Sequence, residues 1–143
     1  MTGENRSKAI IVQSSTSPQR KFKAGDLILL VFSQPSHTRV FALHSTAVLG
    51  RACEMECEVI NLTKYRAYEL GVSRCHALLE VTDGGVQLSD LGSSNGTYLN
   101  RARLEPNQPA VLNDGDEICL GQMAMRVYFA DQADGTEPTN PEA

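Results

Sequence analysis

The stretch Ala77-Leu78-Leu79-Glu80-Val81-Thr82-Asp83-Gly84-Gly85-Val86-Gln87-Leu88-Ser89-Asp90-Leu91-Gly92-Ser93-Ser94-Asn95-Gly96-Thr97-Tyr98-Leu99-Asn100 decides the fold class. Apolar residues take every second position: Ala77, Leu79 and Val81 before Asp83-Gly84-Gly85, and Val86 and Leu88 after it. That period of two belongs to a strand with one buried face, whereas a helix repeats at 3.6. Glycine supplies positive φ and Asp or Asn tolerates it, so Asp83-Gly84-Gly85 predicts a tight turn between two strands. Asn95-Gly96 predicts a second turn ahead of a short strand at 98–99.

The same period continues outward. Residues 27–32 read as a buried strand that pairs with 40–43 across Gln34-Pro35-Ser36-His37. Further strands are expected at 47–50, 58–62, 110–112, 117–120 and 125–129, with Pro106-Asn107 and Asn113-Asp114-Gly115-Asp116 as turns. Short strands at roughly ten-residue spacing predict an all-β sandwich. One segment departs from the pattern. Residues 64–70 carry the helix formers Arg66, Ala67, Glu69 and Leu70 and stop at Gly71, which predicts a helical turn. Residues 1–23 and 131–143 lack such periodicity and read as flexible tails, the second acidic, around one domain at 24–130. Ile10-Ile11-Val12 could add an edge strand.

Composition narrows the function classes. The 143 residues carry 13 Lys+Arg and 17 Asp+Glu, a net charge of -4, so a general nucleic-acid binder is not expected. The longest apolar run, 27–32, falls far short of the roughly 20 residues of a spanning helix. Residues 1–8 lack the apolar core of a signal peptide, so a cytoplasmic location is expected. In a reducing compartment Cys53, Cys57, Cys75 and Cys119 are expected as free thiols. Cys53 and Cys57 could share one face of a turn, but no second ligand pair has metal-site spacing; neither metal nor cofactor is expected.

The specialised residues sit on expected loops. Gly50-Arg51, Ser73-Arg74 and Ser93-Ser94-Asn95-Gly96 together supply guanidinium, hydroxyl and backbone donors. A phosphoryl group carries roughly −1.5 to −2 charge and three strong acceptor oxygens, and needs that donor set. Asn95 carries both an amide and a carbonyl and can pair with an extended main chain.

Four blocks, in order, resemble the signature of the forkhead-associated (FHA) domain family. They are Gly50-Arg51; Ser73-Arg74-x-His76-Ala77; Leu88-x-Asp90-Leu91-Gly92-Ser93-Ser94-Asn95-Gly96-Thr97-Tyr98-Leu99-Asn100; and Leu112-x-Asp114-Gly115-Asp116-x-Ile118-x-Leu120-Gly121. The resemblance implies a β-sandwich of about eleven strands in two twisted, mainly antiparallel sheets, binding phosphothreonine peptides through loops at one end. It implies that Arg51 pairs with the phosphate, that Ser73, Ser94 and Arg74 add phosphate contacts, and that Asn95 holds the peptide main chain. Gly50, His76 and Gly96 match architectural positions. The implied partner is a phosphothreonine protein, a Ser/Thr kinase or its substrate, and the implied role is non-catalytic. A phospho-independent scaffold on the same fold is the alternative, disfavoured by the intact Arg51, Ser73, Ser94, Asn95 set.

Two departures from the family pattern stand out. The loop at 63–72 is longer than the shortest family loops, and Lys64, Tyr65 and Arg66 could extend the binding surface. Asn100-Arg101-Ala102 replaces the common Asn-Gly turn. An enzymatic reading finds little support. Cys75 and His76 are adjacent and should point to opposite faces of a strand; Gly92-Ser93-Ser94-Asn95-Gly96 has the Gly-x-Ser-x-Gly spelling, but the family resemblance accounts for Ser94, His76 and Asp90 without a triad. Asp114 and Asp116 read as a tight strand connection rather than a calcium loop. Thr16, Thr136 and Thr139 in the tails are candidate phosphorylation sites for binding in cis.

Overall fold

The computed structural model describes residues 21–33 and 38–131. The 34–37 turn, residues 10–12 and nearly all of both expected tails lie outside the described residues. The strands are β1 (Leu27–Ser33), β2 (Thr38–Leu43), β3 (Ala47–Gly50), β4 (Glu58–Asn61), β5 (Ala77–Thr82), β6 (Gly85–Asp90), β7 (Thr97–Leu99), β8 (Ala102–Arg103), β9 (Ala110–Leu112), β10 (Glu117–Leu120) and β11 (Met123–Ala130). They form a six-stranded sheet, β2-β1-β11-β10-β7-β8, and a five-stranded sheet, β4-β3-β5-β6-β9. The pairings are antiparallel except β3 with β4, which run parallel.

The period-two pattern becomes burial. On β11 Met123, Met125, Val127 and Phe129 are buried while Ala124, Arg126 and Tyr128 face out. Ile28, Leu30 and Phe32 of β1 join them, and Leu49, Leu79 and Leu88 of the second sheet complete the core. Burying one such side chain stabilises by roughly 1.5–3 kcal/mol, so the alternation alone fixes which face of each strand turns inward. Phe22 extends the core at one end, its ring edge-on to Phe129 at 5.3 Å.

Three features correct the sequence reading. First, β8 is an added strand. Its two residues are exposed and carry no apolar signal. It exists because Asn100 and Arg101 both take positive φ, 50° and 73°, which turns β7 back on itself. Second, the helical turn expected at 64–70 is only a 3-10 turn at Thr63–Tyr65. Arg66 enters the left-handed region at φ 64° and stops it, while Tyr65 and Ala67 bury themselves in the core. Tyr65 therefore does not extend the binding surface; it packs edge-on against Phe32 and Phe41.

Third, the cysteines are not all free. Cys53 and Cys75 form a disulfide, with Cα atoms 4.9 Å apart, and Cys57 and Cys119 are free. The pairing is tertiary: β3 and β5 run antiparallel with Leu49 opposite Ala77, which brings the chain after β3 alongside the chain before β5. No spacing rule in a linear reading reports that meeting.

Candidate functional site

The site is assembled from three connections at one end of the sandwich: 51–57 after β3, 62–76 after β4, and 91–96 after β6. Gly50 begins it. A Cβ there would collide with the Arg74 carbonyl oxygen and lie 2.8 Å from the Arg74 carbonyl carbon, so only glycine lets the two connections touch. They are joined by Arg51 N–H, which donates to both Ser73 O at 3.1 Å and Arg74 O at 3.0 Å.

The Arg51 side chain is held from two sides. Its Nε donates to Val72 O at 2.7 Å, and its guanidinium lies over the Tyr68 ring at 5.3 Å. Fixing Nε leaves the two terminal nitrogens of the fork for an anion. Tyr68 is 77% exposed although aromatic. The sequence reading passed over Tyr68 and Val72, because a carbonyl and a ring acting on a distant arginine leave no spacing signal.

Ser73 links the second connection to the third. Its Oγ accepts Ser94 N–H at 3.1 Å, which leaves its own hydroxyl hydrogen available to another acceptor. Asn95 Nδ2 donates to Gly71 O at 2.9 Å. Arg51, Ser73, Ser94 and Asn95 are thereby tied into one surface by direct or one-residue links. Arg74 contributes its carbonyl to the join, and its side chain is exposed.

Beneath this surface lie two buried polar residues. His76 Nδ1 accepts Ser73 N–H at 2.9 Å, so the ring proton sits on Nε2, 2.9 Å from Gly96 O. Burial lowers the His76 pKa below 6.5, against the opposing pull of the Gly96 carbonyl and the Asp90 charge. Gly96 takes φ 91°, a conformation that favours glycine, and that turn is what aims its carbonyl at His76. Both ring nitrogens are thus committed to backbone groups, and the Asp90, His76, Ser94 set is not wired as a triad.

Asp90 organises the third connection. Its Oδ1 accepts Ser93 Oγ and Thr97 Oγ1, each at 2.6 Å. Its Oδ2 accepts the N–H groups of Gly92 at 3.0 Å and Ser93 at 3.1 Å. Burial alone would raise its pKa, but these four donors outweigh it and hold the carboxyl below 3.8. The signal for this role was present as Asp90-x-Gly92-Ser93, an Asx-turn pattern.

An open groove of about 440 Å³ continues from Asn95. Glu69, Leu70, Gly71, Tyr98, Gly121 and Gln122 line it with Asn95, and Gln122 N–H donates to Leu70 O at 2.8 Å.

A β-sandwich that gathers a fixed arginine, oriented hydroxyl and amide groups, and an open groove at one end defines a phosphopeptide-reading module. The match to known proteins agrees: the FHA domain model fits residues 48–121, and the chain belongs to the FHA domain family. It is similar to an oxoglutarate dehydrogenase inhibitor of Corynebacterium efficiens, 35% identical over 111 residues, covering 77% of this chain and 70% of the relative. It is also similar to the glycogen accumulation regulator GarA of Mycolicibacterium smegmatis, 44% identical over 103 residues, covering 71% of this chain and 58% of GarA. Among solved structures, an FHA domain studied for phosphothreonine-dependent interactions superposes with a TM-score of 0.53 at 27% identity, covering 79% of this chain and 99% of that one.

Proposed function

We propose that this chain is a phosphothreonine-dependent binding module of Ser/Thr kinase signalling that acts by recruitment and not by catalysis. The observation that carries the reading is the join of Arg51, Ser73, Ser94 and Asn95 into one surface. In this reading the two terminal guanidinium nitrogens of Arg51 take two phosphate oxygens. The Ser73 hydroxyl, already accepting Ser94 N–H, donates to the phosphate. Ser94 and Arg74 add donors from either side. Asn95, anchored through Nδ2, presents Oδ1 to a main-chain N–H beside the phosphothreonine.

The groove beyond Asn95 takes the peptide residues that follow the phosphothreonine. Its partner is a phosphothreonine segment of a kinase or of a kinase substrate, met in the cytoplasm. Regulation by binding also accords with relatives named as an inhibitor and a regulator. No helix among the described residues is long and apolar enough to cross a membrane.

The test is titration with paired threonine peptides, phosphorylated and unmodified. Binding of the phosphorylated form alone, lost in Arg51→Ala, is expected. Equal affinity for both forms, or undiminished binding by Arg51→Ala, removes the reading.

A further inference from the structure

The Cys53–Cys75 disulfide joins two of the site's three connections beside Arg51 and Arg74. Cys53 lies two residues beyond Arg51, and Cys75 lies one beyond Arg74. The backbone bonds that join the two connections come from Arg51 and Ala52, the last of them at 3.4 Å. Among the described residues, 53–56 make none of these loop-bridging backbone bonds, and Glu54, Met55 and Glu56 are exposed. The disulfide is therefore what anchors the outer part of the first connection to the second. Arg51 itself spans the two connections, through its N–H to Ser73 O and Arg74 O, its Nε to Val72 O and its guanidinium over Tyr68, so any shift of one connection against the other moves the guanidinium fork.

We propose that Cys53 and Cys75 are a reversible redox-modification site that sets the affinity of the phosphate loops, a step that rests on the phosphothreonine reading above. In the disulfide form the two connections are preorganised, and less ordering remains to be done when a phosphate arrives. Reduction follows ordinary thiol–disulfide exchange with a dithiol reductant. Its thiolate attacks Cys75 Sγ, the half-buried partner, while Cys53 is 8% exposed. The S–S bond breaks, Cys53 leaves as a thiolate and takes a proton, and a mixed disulfide forms on Cys75. The second reductant thiol closes its own ring, so two electrons and two protons end on Cys53 and Cys75. The first and second connections then lose the covalent tie beside Arg51 and Arg74, and the hydrogen bonds of Arg51 and Ala52 are left to hold them in register.

Coupling between two equilibria is reciprocal. If oxidation tightens phosphopeptide binding, bound phosphopeptide makes the disulfide harder to reduce by the same factor. A tenfold coupling would appear as about 30 mV in the potential of the pair.

The experiment uses the full chain carrying Cys57→Ser and Cys119→Ser, so that only this pair responds. A phosphothreonine peptide bound by the oxidised protein is titrated into oxidised and dithiothreitol-reduced samples, with thiol counting on each. Reduction should expose two thiols and weaken binding about fivefold to tenfold. Further substitution by Cys53→Ser and Cys75→Ser should give the reduced affinity in both conditions. Unchanged affinity on opening the pair overturns the proposal, as does absence of a disulfide by thiol count, or an equal response in the four-serine variant. Binding of no phosphothreonine peptide in either state, from a degenerate library, instead overturns the phosphothreonine reading beneath it.

Discussion

Replacing Asp90 by alanine withdraws one carboxylate from four donors at once, and the structure separates what each donor loses. Gly92 N–H, Ser93 N–H and Ser93 Oγ belong to residues that are exposed or half-buried and can turn to water. Their loss is about 1 kcal/mol each, less than the roughly 1.5–3 kcal/mol of a bond to a charged group, because removing the carboxylate also relieves the cost of burying it. Thr97 Oγ1 is buried with its residue fully inaccessible, so its hydroxyl is left without a partner at about 2 kcal/mol. Asp90→Ala should therefore destabilise by about 5 kcal/mol, a large part of a typical 5–15 kcal/mol. Asp90→Asn is the discriminating control. Its amide oxygen can keep the two backbone N–H groups, and its NH2 can face the two hydroxyls, which rotate to accept. The cost should fall to about 1–2 kcal/mol, the loss of charge assistance.

Urea unfolding at neutral pH reads both variants, as a lower midpoint at an unchanged slope. The parent adds a pH signature. The folded pKa of Asp90 lies below its unfolded value of 3.8. Its stabilisation is thus complete above that value and lost as pH falls through the folded pKa. Asp90→Asn should lack this part of the acid limb. An Asp90→Ala variant within 1 kcal/mol of the parent, or an Asn variant as unstable as the alanine one, would refute the reasoning.

At Gly50, Gly50→Ala places a methyl against the Arg74 carbonyl and should cost about 1–3 kcal/mol or more, together with phosphopeptide binding; thermal unfolding and titration check both. His76 stays neutral when folded, because protonating Nδ1 would aim a donor at the Ser73 N–H. Unfolded chains protonate near 6.5 first, so stability should drop as pH falls below that value, by up to about 1.4 kcal/mol per unit, until the folded pKa is passed. Unfolding curves at about pH 7.5 and about pH 5.5 measure it, and His76→Gln should flatten that contribution. Tyr68→Ala removes the ring under Arg51 and should weaken phosphopeptide binding about threefold, as a cation–π contact of about 0.5–1 kcal/mol implies, with Tyr68→Phe near the parent in the same titration.

Much of the fold was legible because burial and strand period are local. The alternation at 77–88 and 123–129 is a one-dimensional record of which side of a strand meets the core. Arg51, Ser73, Ser94 and Asn95 stand out as candidates from their chemistry and from the family's spacing, and the fold brings them together at one end of the sandwich. Two of the three corrections fall where local propensity lost to tertiary packing, and the third, the Cys53–Cys75 bond, where two distant loops meet. Helix formers at 66–70 gave way once Tyr65 and Ala67 found places in the core. Ala102 and Arg103 became a strand only because a positive-φ turn laid them beside β7.

What the linear chain determined by itself was the inventory: strands of period two, glycine at the turns, and loops rich in guanidinium, hydroxyl and amide hydrogen-bond donors. The tertiary structure decided who meets whom. Antiparallel pairing of β3 with β5 set residues 51–53 against 73–75. From that one adjacency follow the Gly50 requirement, the orientation of Arg51 and the Cys53–Cys75 bond. The physical reason is that side-chain alternation specifies a face, whereas contact between distant loops is specified only when two faces close on a shared core.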